Sequence, residues 1–288
     1  MTAEAERLLA AAPELGPAQI LERAGGENFP VAPRVLPRRW REPLEAIYGF
    51  ARLADEIGDA AAGDRLALLD ALEDELARAY DGEARHPLLR RLAPVLAAQR
   101  LPREPFARLI EANRVDQRLR AVQSWEELLA CCALSANPVG ELVLHVFGAA
   151  TPERVALSDQ VCSALQVIEH CQDVAEDRAR GRVYLPAQDL AAHGCGAADL
   201  ARPYPIALRR VVALEIARAR VLLGAGTALL AQLDGFARVA VAGYIAGGLA
   251  TCEALARAGF DAGSVRSRPR RGALLRHAAC LLLGREAR

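Results

Sequence analysis

No stretch of this chain alternates apolar and polar residues with a period of two, so no half-buried strand is expected anywhere along it. Apolar residues recur instead at helical spacing, in long runs punctuated by proline and glycine. With 60 Ala and 43 Leu among 288 residues and few β-branched residues, helix is the expected material. The pattern predicts helices near 3–11, 17–24, 41–60, 64–80, 86–98, 104–121, 124–149, 152–180, 204–232, 235–258 and 270–283. Pro43 and Pro105 fall where a first helical turn tolerates proline, and Pro138 should bend or break its helix. No internal repeat and no linker divides the chain, so a single all-α domain over 1–288 is expected. The longest irregular stretch is Gly181 to Tyr204, and long loops in compact domains are often functional.

Charge narrows the function. The 36 basic and 36 acidic residues balance, which argues against a nucleic-acid partner. Every basic residue is arginine, and the absence of lysine excludes Schiff-base and P-loop lysine chemistry. Any bound anion must be held by arginine, backbone N–H groups, hydroxyls or metal. Cysteines 131, 132, 162, 171, 195, 252 and 280 form no C-x-x-C pair and read as thiols in a reducing cytosol, so a cytoplasmic protein is expected. Met1–Ala12 lacks the apolar core of a signal peptide, and the apolar run Val239–Ala250 is too short and glycine-rich to span a bilayer. The last predicted helix, Arg270 to Gly284, is basic and then apolar; docking onto the helical core is expected, with peripheral membrane contact as the alternative.

Two segments carry chemistry. In FARLADEIGD, Asp55 and Asp59 are four apart on a helix and leave the same face, with Arg52 one turn earlier. In QVIEHCQDVAED, Glu169, Asp173 and Asp177 are spaced by four, with Gln166 at the top of the ladder. Like charges at this spacing repel, and a lone D-x-x-x-D is usually a solvated face. Here Val161, Leu165, Val167, Ile168 and Val174 flank the ladder, which favours an interior cavity holding cations. Oxygen ligands without His or Cys suit a hard cation, Mg²⁺ first and Mn²⁺ as a substitute. Two such helices would clamp metal ions on a diphosphate, with Arg178, Arg180 and Arg182 at the rim to contact its oxygens. Metal and arginine together stabilise diphosphate as a leaving group, and an apolar cavity would shield an allylic cation. No G-x-S-x-G, H-E-x-x-H or G-x-G-x-x-G context competes, so no NADPH is expected. His170, beside the ladder, reads more readily as a satisfied core histidine than as a supporting group.

These segments, with ENFPVA (27–32), SANPVGELVLHVFG, LSDQVCSALQ and QDVAEDRARGRVYLP, resemble the squalene and phytoene synthases, most of all the hydroxysqualene synthase branch. The resemblance covers roughly Glu27 to Gly284. It implies an all-α class I isoprenoid synthase bundle with a central cavity and Mg²⁺-assisted ionisation. By position it places metal ligation on Asp55, Asp59, Asp173 and Asp177, and diphosphate contacts on Arg52, Arg182 and Tyr184. Phe29 and Gln166 join the expected substrate contacts, and Glu56 stands where many relatives have a second Asp.

Three positions depart from the pattern. Cys131 stands where relatives have Tyr, Glu169 where they have Asn, and Ala121-Val122 where they have Arg-Tyr, with Arg118 and Arg120 nearby. The half of the site that ionises one allylic diphosphate is intact; the half that handles a second prenyl unit is altered. That pattern resembles squalene-synthase-like prenyltransferases of secondary metabolism that use a carbazole-type aromatic acceptor. The principal expectation is therefore transfer of a prenyl group to an aromatic ring, with Glu169 as an extra metal ligand or base and Cys131 against substrate. The alternative is conversion of presqualene diphosphate to hydroxysqualene in hopanoid biosynthesis. A non-catalytic partner subunit is a third reading, opposed by the intact aspartates.

Overall fold

The computed structural model describes residues 36–59, 61, 63–263 and 269–284. The helices expected at 3–11 and 17–24, the ENFPVA segment and Phe29 lie outside these residues. Thirteen α-helices form among the described residues: α1 (Arg38–Asp59), α2 (Arg65–Tyr80), α3 (Pro87–Gln99), α4 (Glu104–Asp116), α5 (Trp125–Ser135), α6 (Asn137–Val146), α7 (Pro152–Gln172), α8 (Val174–Ala179), α9 (Ala187–Ala192), α10 (Ile206–Gly226), α11 (Ala228–Ala231), α12 (Gly235–Arg257) and α13 (Arg271–Leu282). No strand forms among them; an isolated parallel bridge joins Ala121 to Val183. The all-α expectation is met.

The described residues group into two compact units. One comprises the described residues up to Arg118 together with Pro138–Ala150; the other comprises Leu119–Asn137 and the described residues from Thr151 onward. In the first unit α1 packs against α2, α3 and α4. Its core is aliphatic around one aromatic pair, Phe50 and Phe106, which meet edge to face at 5.0 Å between ring centroids. Leu53, Ile57, Leu72, Leu89 and Ile110 are fully buried with them. Truncating Phe50 or Phe106 to Ala should cost about 3–5 kcal/mol. In the second unit α7 pairs along its length with α10, and α12 packs on both and on α13. Small residues set that spacing: a Cβ on Gly226 would lie 2.4 Å from Val161 Cγ2, and one on Gly248 would lie 2.8 Å from Leu165 Cδ2.

Helix starts follow local chemistry. Asp64 caps α2 by accepting from Ala67 N at 3.1 Å. Ser124 caps α5 by accepting from Glu127 N at 3.2 Å, and Thr151 caps α7 by accepting from Arg154 N at 3.3 Å. Pro105 lies in the first turn of α4 as expected. Pro43 does not: α1 begins at Arg38, which puts Pro43 in the second turn with no N–H for the carbonyl of Arg39. The helix expected over 124–149 breaks at Ala136, near the point where Pro138 has no N–H for the carbonyl of Leu134 and its ring crowds the preceding turn.

Four expected spans need correction. The helix predicted to 121 ends at Asp116, since residues 120–122 give their backbone bonds to the segment after Arg182. The helix over 152–180 is interrupted at Asp173, and that over 204–232 at Thr227, whose hydroxyl donates to Gly224 O at 2.6 Å. The stretch 181–204 is not wholly irregular: it contains α9 and a 3₁₀ turn at Ala197–Leu200. The apolar run judged too short to span a bilayer belongs to the 23-residue α12, which is long and apolar enough by itself. Two thirds of its most apolar window (67%) is buried within the protein, which makes it a core helix.

Candidate active site

In the first unit, α1 carries Arg52, Asp55, Glu56 and Asp59 on successive turns. Arg52 Nη2 donates to Glu56 Oε1 at 3.3 Å, so the position that departs from the family's second Asp engages the arginine. Asn113 of α4 reaches across: its Nδ2 donates to Asp55 Oδ1 at 3.3 Å and to Leu109 O at 3.1 Å. Gly58 makes that reach possible, since a Cβ there would lie 2.1 Å from Asn113 Oδ1. The end of α1 is closed by side-chain donors. Arg65 Nη1 and Gln117 Nε2 both donate to Gly58 O, at 3.1 and 3.0 Å.

Asp55 keeps accessible surface, yet enough protein surrounds it that loss of hydration dominates and pushes its carboxyl up to about 6. The Asn113 hydrogen bond and Arg52 oppose this shift, while Asp59 and Asp116 add to it.

In the second unit, the acidic ladder spans a helix junction. Asp173 has φ −100° and ψ 15°, off the helical path, and separates α7 from α8. Its backbone still holds the four-residue rhythm: Asp173 N donates to Glu169 O at 2.9 Å and Asp177 N donates to Asp173 O at 2.8 Å. Burial also pushes Asp173 up to about 6, reinforced by Glu176 and Asp177 and opposed by His170 and Arg180. Glu169 is half-buried one turn earlier.

Asp177 is buried and closely attended. His170 Nδ1 lies 3.6 Å from Asp177 Oδ2, and Arg180 Nη1 lies 4.0 Å from Oδ1. Gln166 Nε2 meets His170 Nε2 at 3.3 Å. With the amide donating, the imidazole proton sits on Nδ1 and faces Asp177. The His170 ring stacks on Tyr184 with centroids 3.8 Å apart and an 18° interplanar angle. His170 is therefore a supporting group of the acidic site and not a passive core residue.

Gly181 explains how Arg182 and Tyr184 arrive there. Its φ of +80° reverses the chain after α8; Arg182 N then donates to Asp177 O at 2.9 Å and Gly181 N to Arg178 O at 2.9 Å. These are the paired bonds of a Schellman helix end, and they turn the buried Arg182 back beside the Asp177 backbone. The following residue is pinned by backbone pairing: Val122 N donates to Val183 O at 2.9 Å, and Val183 N to Arg120 O at 3.0 Å.

Of the expected substrate-contacting residues in this unit, Gln166, Arg182 and Tyr184 thus gather with Asp177. Arg178 is exposed and lines a groove of about 620 Å³ with Ala175, Glu176, Ala179, Leu200 and Arg202. At 100° per residue, that side of α8 is roughly opposite the one bearing Asp173 and Asp177. Cys131 is half-buried on α5 and its carbonyl accepts from Ser135 Oγ at 3.1 Å. Beside it Cys132 is buried, which pushes its thiol well above the ordinary range. Sequence reasoning missed Asn113, Asp116 and the spacing role of Gly58. A glycine inside an amphipathic helix, between two aspartates, was the available signal of close approach.

Among the described residues, no three His, Cys, Asp or Glu side chains converge into a coordination shell on their own. Each unit offers a pair of carboxylates, one member of each pair made more basic by burial and like charge. That donor set fits Mg²⁺, which is commonly held by one or two carboxylates plus substrate phosphate oxygens and water.

Helices alone, bearing two acidic pairs with arginine and tyrosine beside them, define an all-α isoprenoid synthase. Among solved structures, squalene synthase HpnC from Alicyclobacillus acidocaldarius is 38% identical, with a TM-score of 0.77 over 91% of this chain and 97% of that one. A dehydrosqualene synthase matches in fold alone, at 19% identity and a TM-score of 0.81 over 96% of each chain. The chain belongs to the squalene/phytoene synthase family, whose model matches residues 22–274. A hydroxysqualene synthase from Rhodopseudomonas palustris is 36% identical over 216 residues, 73% of this chain and 72% of that protein. Members of the family are prenyltransferases, and this chain is one of them.

Proposed function

We propose that the protein ionises a prenyl diphosphate and, of the two reactions considered above, carries out the hydroxysqualene synthase reaction. The similarity to the Rhodopseudomonas palustris enzyme carries this reading, because it extends over 72% of that protein. In the reaction, the C–O bond of presqualene diphosphate breaks and its electron pair leaves with diphosphate. The cyclopropyl cation rearranges, water adds through a new C–O bond, and the water's proton is lost to a base. Water supplies the hydroxyl, so no NADPH enters.

Asp55, Asp59, Asp173 and Asp177 would hold Mg²⁺, which when bound offsets charge on the departing diphosphate. Arg182 and Tyr184 bind diphosphate oxygens. His170 fixes the Tyr184 ring by stacking and holds its Nδ1 proton toward Asp177. Glu169 sits one turn from Asp173, where it either adds a metal contact or takes the proton.

The aromatic-acceptor reading ranks second. It rests on Cys131, Glu169 and Ala121-Val122, and no similar protein named above is an aromatic prenyltransferase. Purified protein with Mg²⁺ should convert presqualene diphosphate to hydroxysqualene. Dimethylallyl, geranyl and farnesyl diphosphates, offered with carbazole- or indole-type phenols, should give no aromatic product. Aromatic prenylation without turnover of presqualene diphosphate would reverse the ranking.

A further inference from the structure

The last helix is two-faced in an unusual way. Its inner side is docked: Ala273 and His277 are buried, and α13 packs along α12. His277 Nε2 lies 3.2 Å from Glu253 Oε2, Arg276 donates to the same carboxylate, and Arg238 Nη2 donates to Leu282 O at 3.1 Å. Its outer side is exposed among the described residues, with Leu275, Ala279 and Leu283 beside Arg271 and Arg276. Arg271, Leu275, Ala279 and Leu283 follow one another at intervals of four and so share one face. Leu275 and Leu283 are 67% and 68% exposed, two of only five large hydrophobic residues exposed among the described residues. A third, Val239 on α12, adjoins Arg238, whose side chain holds Leu282.

Charge identifies what would cover this face. From Ser264 to Gly284 the sequence carries Arg266, Arg268, Arg270, Arg271 and Arg276 and no acidic residue, although the whole chain is electrically neutral. Arg270 and Arg271 are exposed where α13 begins. An apolar helical face with a basic cluster at its start matches a bilayer surface rich in anionic lipid: leucines enter the acyl boundary and arginines meet headgroup phosphates. We propose that the outer face of α13 docks this protein onto anionic phospholipid bilayers, with Leu275 and Leu283 as the inserted residues. The proposal does not depend on which prenyl substrate is used.

The test is co-sedimentation of the whole protein, without substrate, with vesicles of phosphatidylcholine alone or mixed with phosphatidylglycerol. Binding should be at least about tenfold tighter to the anionic vesicles, and should collapse at roughly 1 M salt, where charges are screened within about 3 Å. Leu275→Gln and Leu283→Gln should each weaken binding about tenfold or more while leaving the helical circular dichroism and melting temperature unchanged. Arg270→Gln with Arg271→Gln should weaken it comparably. Ile206→Gln, which alters an exposed residue on α10, should have no effect. Equal binding to both vesicle types, an undiminished Leu275→Gln variant, or a protein dimer that Leu275→Gln dissolves without any vesicle binding would each overturn the proposal.

Discussion

The two units hold their acidic side chains by different means. In the first, neutral donors predominate: Asn113 serves Asp55, and the backbone N–H groups of Arg85 and His86 both donate to Glu75 Oε1, with Arg78 on its other oxygen. In the second, charged or titratable partners do the same work. His170 and Arg180 attend Asp177, and Arg218 Nη1 bridges Asp189 at 2.7 Å and Glu215 at 2.9 Å. Glu215 is fully buried, its Oε2 has no hydrogen-bond partner, and burial pushes its carboxyl up to about 7 despite Arg218. Asp55 in the first unit and Asp173 and Glu215 in the second all have raised carboxyls; Glu215, raised furthest, makes the second unit the more sensitive to pH.

The largest expected effect tests whether the two halves serve one step. Asp55→Asn and Asp173→Asn should each lower diphosphate release by about 10²–10³-fold or more with the fold intact, and EDTA should abolish it until Mg²⁺ is restored. Near-normal turnover in only one variant would break the parallel between the units.

Next comes the pH dependence of stability. The Glu215 carboxyl is raised in the folded state from 4.5 to about 7, so its contribution is fully present below pH 4.5 and lost as pH rises through 7. The loss is on the order of 3 kcal/mol. Melting of the Glu215→Gln variant against the parent between pH 5 and 8 isolates it. A Glu215→Gln curve parallel to the parent's would remove the contrast.

Two glycines allow a sharper comparison. Gly58→Ala forces a Cβ against Asn113 and should cost about 1–3 kcal/mol. Gly181→Ala, at φ +80° with open space around it, should cost only about 1–2 kcal/mol of backbone strain. Thermal melts should rank them so. The smallest effect is Asn113→Ala, which removes one neutral hydrogen bond to Asp55 worth about 1 kcal/mol. Turnover should fall about fivefold, and the Asp55 limb of its pH profile should move to higher pH, because Asn113 holds that carboxyl down. His170→Phe, which can keep the stack on Tyr184 but loses the contact with Asp177, should also lower turnover.

Much of this was legible in the sequence, because four-residue spacing and family motifs are both local. Asp55 and Asp59 share a face as the spacing predicts, and Gln166, Arg182 and Tyr184 gather at Asp177. What escaped depended on partners distant in sequence or on backbone detail. Asn113 lies 58 residues from Asp55, and nothing near it marks it as a site residue. The kink at Asp173 has no proline or glycine to announce it. Arg178, Arg180 and Arg182 read as one basic run, but the turn at Gly181 folds Arg182 back while Arg178 faces a separate groove.

The pairing of residues 120–122 with the segment after Arg182 bears on how such an enzyme can change over generations. The bonds that fix Val183, and with it the spacing of Arg182 and Tyr184, use only main-chain atoms of Arg120 and Val122; Ala187 N adds another to Val122 O at 2.9 Å. Side chains there can be exchanged without unfastening Arg182 and Tyr184. Position 122 is wholly enclosed, so a change of size there must be matched by its neighbours, whereas position 121, half-exposed, is open to drift. Replacement of Arg-Tyr by Ala-Val is the kind of step this architecture permits: side chains of that segment can evolve while the main-chain pairing keeps Arg182 and Tyr184 in register.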